Sequence, residues 1–122
     1  MSNKELVLRA VTDLLVNRDL SAIEKYYEGY IQHNPFYPSG IENLKKLVPA
    51  LKPDFKYEAG LAMEQDDFVM VHGRYTGWAG KTFIAVDIFK VVNGKIVEHW
   101  DVLQEEVPPE KSVNGNTMFP VI

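Results

Sequence analysis

The sequence predicts an α+β domain in which N-terminal helices are followed by an antiparallel sheet. Apolar residues repeat every three or four positions as far as Val48, which is the spacing of amphipathic helices. From Phe55 onward the sequence instead reads as strands separated by short turn signals. Helices followed by a run of antiparallel strands make an α+β domain, and 122 residues fit one domain, 1–122.

Three helices are predicted before the sheet. Ser2 and Glu5 form a capping box that satisfies free amide groups at the start of the first helix. Asp19 caps a second, short helix. A second capping box introduces the third helix, which ends at the prolines that follow it. The residues concerned are Leu6, Val7, Ala10, Val11, Leu14 and Leu15 in the first stripe, Leu20, Ile23, Tyr26 and Tyr27 in the second helix, and Ser39, Glu42, Ile41, Leu44, Leu47, Val48, Pro49 and Pro53 in the third.

Four long strands are predicted, joined by turns at Asp66-Asp67, Ala79-Gly80 and Asn93-Gly94. Asn93-Gly94 is the strongest turn signal because both residues tolerate the positive φ of a type I′ hairpin. A short extended segment, 30–34, precedes Pro35. The strands are 55–65, 67–78, 81–92 and 95–105, and the tail from Pro108 is predicted to be irregular chain anchored by Met118 and Phe119.

Composition excludes several classes of function. The hydrophobic fraction of 46% and charged fraction of 25% are typical of globular proteins. Because the chain has no cysteine, disulfides and zinc–thiolate sites are excluded. A net charge of −4 is unlike that of nucleic-acid-binding proteins, and no basic run suggests a membrane surface. The N-terminus lacks the unbroken apolar run of a signal peptide, so a cytoplasmic location is expected.

The hairpin turns predict which strand residues are neighbours. If both Ala79-Gly80 and Asn93-Gly94 are two-residue turns, counting back from them places His72, Asp87 and Trp100 in a row on three adjacent strands. Directly opposed Cβ atoms in such a row lie roughly 4.5–5.5 Å apart. The pairs nearest the turns are then Trp78 with Lys81 and Val92 with Lys95. The same register places His99 and Asp101 on the opposite face, where they suit a subunit interface better than catalysis.

Both faces of this sheet are more apolar than a face in contact with water should be. We therefore expect helices on one face and a second subunit on the other, which predicts a homodimer.

Asp87 is the first candidate for chemistry, because a charge inside the strand Phe-Ile-Ala-Val-Asp-Ile-Phe needs a reason. Burial raises the pKa of a carboxyl group and a neighbouring imidazolium lowers it, so a pair of His72 and Asp87 could act as an acid and base. The alternative is a buried polar pair that satisfies only itself or the indole of Trp100.

Further candidates for substrate binding come before the proline-rich loop and on the predicted sheet. His33 and Asn34 could reach the pocket mouth, although a structural turn explains them nearly as well. Which of Gln32, His33 and Asn34 points inward cannot be read from so short a segment. Aromatic residues such as Tyr30 and Phe89 are expected in the core or in the lining of an apolar cavity. Three distant histidines give little support for a metal site, and no glycine-rich loop supports a nucleotide cofactor.

Two segments resemble a known family. Tyr-Ile-Gln-His-Asn-Pro at 30–35, and Val-Asp-Ile-Phe-Lys-Val-Val-Asn-Gly-Lys-Ile-Val-Glu-His-Trp-Asp at 86–101, are similar to SnoaL-like polyketide cyclases of the nuclear-transport-factor-two-like superfamily. The resemblance implies a cone-shaped barrel in which three N-terminal helices pack on a strongly curved, mostly antiparallel sheet around a pocket. It also implies dimers formed through sheet surfaces.

The characterised cyclases close rings by aldol condensation without a cofactor, using a strand aspartate near a histidine on the neighbouring strand. The resemblance therefore implies acid–base roles for Asp87 and His72. Asn34 stands where related isomerases carry an aspartate, which weakens an isomerase interpretation of that type.

Together these expectations describe a lyase or isomerase for a small apolar or carbonyl-containing molecule. Asp87 would take the proton and His72 would orient it or donate to the enolate. The residues expected to bind the substrate are Tyr30, Gln32, His33, Asn34, Phe89 and Trp100. Three alternatives remain: a binding protein without turnover, a module that associates with another protein, and a hydrolase related to epoxide hydrolases.

Overall fold

The first helix begins where the sequence predicts. The computed structural model describes residues 1–121, and helix α1 is Asn3–Val11. The Ser2 hydroxyl oxygen accepts a hydrogen bond from the Glu5 amide at 3.1 Å. The chain continues as a π-helical turn, Thr12–Val16, which Asn17 closes by donating its amide to the Thr12 carbonyl at 3.0 Å. The predicted apolar stripe is confirmed, and all of its members are buried.

Helix α2 is Ser21–Tyr26, and strand β1 follows directly as Tyr27–Gln32. The Asp19 carboxylate accepts from the Ser21 amide at 2.9 Å and from its hydroxyl at 2.7 Å, so Asp19 supports this helix start as predicted. Tyr27 was expected within the helix and instead begins the strand. The predicted extended segment is therefore a longer element that starts earlier in the chain.

Helix α3 is Ile41–Ala50, and its predicted capping box does not form. The Ser39 hydroxyl instead accepts the Gln32 amide at 2.9 Å, which satisfies the end of β1. Gly40 takes the N-cap position with a φ of 101°. Pro49 lies inside the last turn, and the helix ends at Ala50, between the two prolines that were predicted to close it.

The sheet has five strands and mixed direction. Its other members are β2, Lys56–Gln65; β3, Phe68–Trp78; β4, Lys81–Val92; and β5, Lys95–Glu105. All four of these bounds agree with the prediction to within a residue. The strand order is β1-β5-β4-β3-β2, with β1 parallel to β5 and the other pairs antiparallel. The sheet is not strongly curled, so the closed cone implied by the resemblance is not observed.

Two β-bulges change the predicted register. The pairs nearest the turns are as expected, with Trp78 opposite Lys81 and Val92 opposite Lys95. The next pair along β3 and β4 is Thr76 with Thr82, which leaves Gly77 as an extra residue. On β5, Ile96 is followed in the ladder by Glu98, which leaves Val97 as an extra residue. Each bulge shifts the remaining pairs by one position and exchanges the faces.

The predicted row of His72, Asp87 and Trp100 is consequently wrong. His72 lies opposite Val86, and Asp87 lies opposite Asp101. Asp87 points to the face that the helices cover, which we call the inner face. His72 and Trp100 point to the other side, the outer face.

The bulge at Gly77 depends on glycine. Its φ is +75°, and a Cβ atom there would lie 3.0 Å from the Asp54 carbonyl oxygen. Both the backbone conformation and the close approach of the segment before β2 therefore exclude an ordinary side chain.

The tail covers part of the outer face. Phe119 is only 6% exposed, and its ring lies 5.4 Å from the ring of His72 and 4.9 Å from the guanidinium of Arg74. The Met118 sulfur accepts the Val107 amide at 3.2 Å. Both predicted anchors of the tail are therefore confirmed. Among the described residues, no helix combines the length and apolar character that crossing a membrane requires.

Candidate functional site

A cavity of about 100 Å³ lies between the inner face and the helices. Apolar side chains of α1, the π-helical turn, α3 and the sheet form most of its wall, and a smaller group of polar side chains meets on one side. Such a combination is typical of pockets for small organic molecules. The apolar part includes Val11, Leu14, Leu44, Leu47, Phe89 and Leu103, and the polar part includes Tyr27, Tyr30, Gln32, Asn34, His99 and Asp101.

His99 is the centre of the polar group. Its side chain comes from β5, and only 6% of the residue is exposed. Its Nε2 atom lies 2.7 Å from Oδ1 of Asp87, and its Nδ1 atom lies 2.7 Å from Oε1 of Gln32. The Tyr30 ring lies over it with centroids 6.1 Å apart, and the Phe89 ring lies 5.0 Å away. The imidazole is therefore fixed in position by two hydrogen bonds and two aromatic rings.

The contacts of His99 also limit where protons can be. The Gln32 oxygen accepts the Asn34 amide at 3.0 Å, so that oxygen, and not the amide nitrogen, faces His99. Nδ1 must then carry a hydrogen. The short contact to Asp87 needs one further proton, either on Nε2 as an imidazolium or on the carboxyl group. The pair of His99 and Asp87 thus carries a proton in its own hydrogen bond.

Asp87 lies behind His99 and does not reach the cavity. It is 1% exposed, and its second oxygen accepts the Tyr75 hydroxyl at 2.8 Å. Burial, followed by the nearby Asp87 charge, raises the pKa of Tyr75 well above its ordinary value, so this phenol stays a donor at neutral pH. Both carboxylate oxygens of Asp87 are therefore occupied by protein partners.

Asp101 is the carboxylate that faces the cavity. Nδ2 of Asn34 donates to both of its oxygens, each at 3.0 Å, and His99 Nε2 lies 3.9 Å from Oδ2. The Asn34 amide oxygen accepts the Phe36 amide at 2.9 Å, which fixes the orientation of the Asn34 side chain. Burial is the largest effect on Asp101 and raises its pKa, whereas the Asn34 hydrogen bond and the His99 charge lower it. The net shift is upward, as expected for a carboxyl group in a largely apolar site.

Asp87, His99 and Asp101 each offer an atom within 4.8 Å of the others, which is close enough for a small metal ion to be considered. The donor set fits hydrogen bonding better than metal binding. Nε2 of His99 is engaged with Asp87, and every carboxylate oxygen in the group already accepts a hydrogen bond. A cation would have to displace these partners, so the arrangement favours hydrogen bonding over metal binding.

The structure brings five of the eight candidates from the sequence to this region. Asp87 lies directly behind the cavity wall. Tyr30, Gln32, Asn34 and Phe89 line the cavity, and for the segment before Pro35 the structure shows that Gln32 and Asn34 point inward. Tyr30 reaches its position with a φ of 59°, which turns the end of β1. The roles predicted for these residues in catalysis and substrate binding stay predictions.

His72, His33 and Trp100 lie elsewhere. His72 points to the outer face because of the Gly77 bulge, and there it contacts Phe119. The rings of His33 and Trp100 stack with centroids 4.6 Å apart and planes 3° apart. His33 Nε2 also lies 2.6 Å from Oε2 of Glu98. These three side chains form part of the outer surface, so the sequence-based pairing of His72 with Asp87 is corrected.

Sequence reasoning missed Tyr27, Tyr75, His99 and Asp101 as members of the site. His99 and Asp101 were placed on the opposite face because the bulges were not recognised. Gly77 inside a strand pattern is a usable bulge signal, since glycine in a strand often marks one. Val97 gives no comparable signal, because valine is a common strand residue.

Comparisons with known proteins agree with this architecture. The family model described as SnoaL-like polyketide cyclase matches residues 5–106. None of the curated proteins matches the chain significantly.

Solved structures show the same fold at low sequence identity. An NTF2-like protein of unknown function from Cytophaga hutchinsonii is similar with a TM-score of 0.73 and 20% identity, covering 85% of this chain and 91% of its own. A protein proposed to be a ketosteroid isomerase, from Kribbella flavida, has a TM-score of 0.72 and 16% identity over 88% of this chain and 81% of its own. A protein proposed to be a polyketide cyclase, from Acidithiobacillus ferrooxidans, has a TM-score of 0.69 and 15% identity over 84% of this chain and 91% of its own. These likenesses show the NTF2-like fold.

Proposed function

Because this chain belongs to the SnoaL-like polyketide cyclase family, we propose that it is a cofactor-independent enzyme that removes a proton from the carbon next to a carbonyl group. The reaction would be an aldol-type ring closure or a related isomerisation of a small carbonyl-containing molecule. The observation that supports this most is a carboxylate with a raised pKa, Asp101, at the wall of a largely apolar cavity.

Asp101 is the proposed base, in place of Asp87, which the sequence favoured. A base must touch the proton that it removes, and Asp101 lines the cavity whereas Asp87 is covered by His99. In the first step the Asp101 carboxylate takes the proton, and the electrons of the broken C–H bond form an enolate on the substrate oxygen. In the second step the enolate carbon attacks another carbonyl of the same molecule. The alkoxide that results recovers the proton from Asp101.

Asn34 and His99 position and tune this base. Asn34 holds both oxygens of Asp101, so the carboxylate presents the same orientation to each substrate molecule. Burial, the largest effect, and the Asp87 charge raise the pKa of Asp101, whereas the Asn34 hydrogen bond and the nearby imidazole of His99, 3.9 Å away, lower it. Asp87, through its Tyr75 hydrogen bond, keeps that imidazole in place.

The enolate oxygen needs a hydrogen-bond donor that does not lose its proton. Tyr27 and Tyr30 both line the cavity, and burial raises the pKa of both phenols. Each therefore stays protonated near neutrality and can donate to a developing negative charge. We assign this role to these two tyrosines.

The test is exchange of the α-protons of 2-butanone in deuterium oxide, followed by NMR. The small ketone fits the cavity and its uncatalysed exchange near neutral pH is slow. The proposal requires the wild-type protein to accelerate exchange in proportion to its concentration, and Asp101→Asn to lose that acceleration. Equal exchange with and without the protein would refute it.

A binding protein without turnover is the second candidate, and one observation favours it. The oxygens of Asp101 and both ring nitrogens of His99 are already engaged with protein partners. A site whose carboxylate and imidazole are both satisfied can bind an apolar molecule without reacting with it. Saturable binding of ketones with no catalysed exchange would select this candidate. The hydrolase alternative stays a prediction with no separate support.

We further propose that the outer face forms a homodimer, as its apolar composition suggested. Its exposed apolar side chains include Ile31, Met63, Phe68, Met70 and Val102, the last with 71% exposure. Patches of this kind mark association surfaces in many proteins. Sedimentation equilibrium should give twice the chain mass for the wild type and the single mass for Val102→Glu. A wild-type protein that is monomeric at every concentration over a 100-fold range around 1 micromolar would contradict this assembly.

A further inference from the structure

A second hollow lies next to the cavity. It has a volume of about 260 Å³ and lies between the end of α3, the segment that follows this helix, and the turn joining β3 to β4. Tyr37, Leu47 and Trp78 line both hollows. We call the first the inner cavity and the second the outer groove. Because three residues are shared, the inner cavity and the outer groove are neighbours.

Two aromatic rings are among the side chains that both hollows share. The Tyr37 and Trp78 rings meet edge to face, with centroids 5.6 Å apart and planes at 63°. Tyr37 belongs to the loop between β1 and α3, and Trp78 is the last residue of β3, beyond the Gly77 bulge. Neither ring belongs to the middle of the sheet. Both rings therefore lie outside the centre of the strand ladder, at positions that the inner cavity and the outer groove share.

The inner cavity is too small for a ring-closing substrate by itself. Its volume of about 100 Å³ is below the ~150 Å³ of an engineered cavity that accepts benzene. An intramolecular aldol reaction needs two carbonyl groups and the chain between them in one molecule. Pockets for such ligands usually have about 300–1,000 Å³. The outer groove supplies the missing volume, since with the inner cavity it reaches the lower end of that range.

The lining of the outer groove is mostly apolar, and hydrogen bonds hold part of its backbone in place. Leu51 and Phe55 contribute to it, together with the three shared residues. Arg18 fixes the backbone beneath it, donating to the carbonyl oxygens of Leu51 at 3.2 Å, Lys52 at 2.8 Å and Phe55 at 3.4 Å. A groove held in this way is already shaped for an apolar ligand segment, which reduces the entropy cost of binding.

We infer that the substrate is an elongated carbonyl compound whose reactive head lies in the inner cavity and whose apolar tail passes between Tyr37 and Trp78 into the outer groove. This inference rests on the proposed function for the identity of the head. Tyr37, Trp78 and the groove then determine specificity for tail length, independently of the chemistry at Asp101.

Two methyl ketones with the same head test the inference: 2-butanone, which has no tail, and 6-phenyl-2-hexanone. Dissociation constants are measured by ligand-observed NMR titration, which needs no turnover. Wild-type protein should bind the long ketone at least tenfold more tightly than 2-butanone. Ala50→Trp adds bulk at an exposed position that lines only the outer groove, so it should weaken binding of the long ketone at least tenfold and that of 2-butanone less than twofold.

Lys46→Trp is the matched control, because Lys46 is exposed on the same helix and, in the chain as described, lies outside both linings. It should leave both dissociation constants unchanged. In a second measurement, the wild-type protein should show nuclear Overhauser effects between the phenyl protons of the long ketone and the indole protons of Trp78.

Equal affinity for the two ketones, equal effects of Ala50→Trp and Lys46→Trp, or no contact with Trp78 would each overturn the inference. Absence of catalysed proton exchange with intact tail-dependent binding would instead refute the proposed reaction alone.

Discussion

Asp87 and Asp101 lie directly opposite each other on β4 and β5, and the imidazole of His99 approaches both carboxylates. Two like charges at opposed positions of a sheet destabilise it unless something compensates them. His99 provides that compensation through the proton that it shares with Asp87. The two carboxylates also differ in position, since Asp87 supports the imidazole from behind and Asp101 faces the cavity.

Asp101→Asn should reduce the catalysed exchange of ketone α-protons by about 10²–10⁴-fold, the usual contribution of a general base. The amide keeps the shape of the side chain but cannot accept the proton. Glu105→Gln on the same strand is the control, because Glu105 is exposed and, in the described structure, its carboxylate forms an ion pair only with Lys81 of the neighbouring strand β4. Exchange rates are measured by NMR, with circular dichroism to verify folding. Full activity of Asp101→Asn would exclude this residue as the base.

The pH dependence of exchange should follow the ionisation of Asp101. The base acts when ionised, so kcat/KM should rise with pH and level off above the pKa of Asp101. Because burial raises that pKa, the midpoint of the rise should lie above the ordinary aspartate value of about 3.9. The measurement is kcat/KM for proton exchange from about pH 3 to pH 8, corrected for the uncatalysed rate. A rate that falls with rising pH in this range, or a midpoint at or below the ordinary value, would argue against a carboxylate base with a raised pKa.

Tyr75→Phe should lower the free energy of unfolding by about 1.5–3 kcal/mol, the usual value for a hydrogen bond to a buried charged group. The change removes the 2.8 Å hydrogen bond to Asp87 and leaves that carboxylate without one partner. Tyr26→Phe is the comparison, since the Tyr26 side chain is buried, more fully than that of Tyr75, but its hydroxyl makes only a long contact of 3.4 Å with Asp13. Urea unfolding should show a cost of less than about 0.5 kcal/mol for that variant. Similar costs for both variants would mean that the Tyr75 hydroxyl does not support Asp87.

Gly77→Ala and Gly80→Ala separate backbone strain from close packing. Both glycines have a φ of +75°, but a Cβ atom at Gly80 would meet nothing within 4 Å, whereas one at Gly77 would lie 3.0 Å from the Asp54 oxygen. Gly80→Ala should therefore cost about 1–2 kcal/mol from the left-handed conformation alone. Gly77→Ala should cost about 1–3 kcal/mol more, because the neighbouring backbone must move. Thermal unfolding of the two variants measures the difference, and equal stability would show that the close approach to Asp54 is not important.

The strands and turns could be predicted from the sequence because their signals are local. Asn93 and Gly94 have φ values of 51° and 74°, as the predicted hairpin requires, and the four predicted strands agree with the structure. The position of β1 was not predictable in the same way, because its partner β5 lies more than sixty residues further along the chain. Ser39 was likewise predicted to cap the helix that follows it. In the folded chain its hydroxyl oxygen instead accepts a hydrogen bond from the amide of Gln32, which lies before it in strand β1.

The sequence by itself determined the order of helices and strands, the three hairpin turns and the presence of one charged residue, Asp87, inside an apolar strand. Only the tertiary structure decided which histidine accompanies it. The reason is that side chains alternate across a strand, so the extra residues at Gly77 and Val97 each reverse the faces of everything beyond them. With two such reversals His72 moves outward, and His99 and Asp101 join Asp87 beside the cavity.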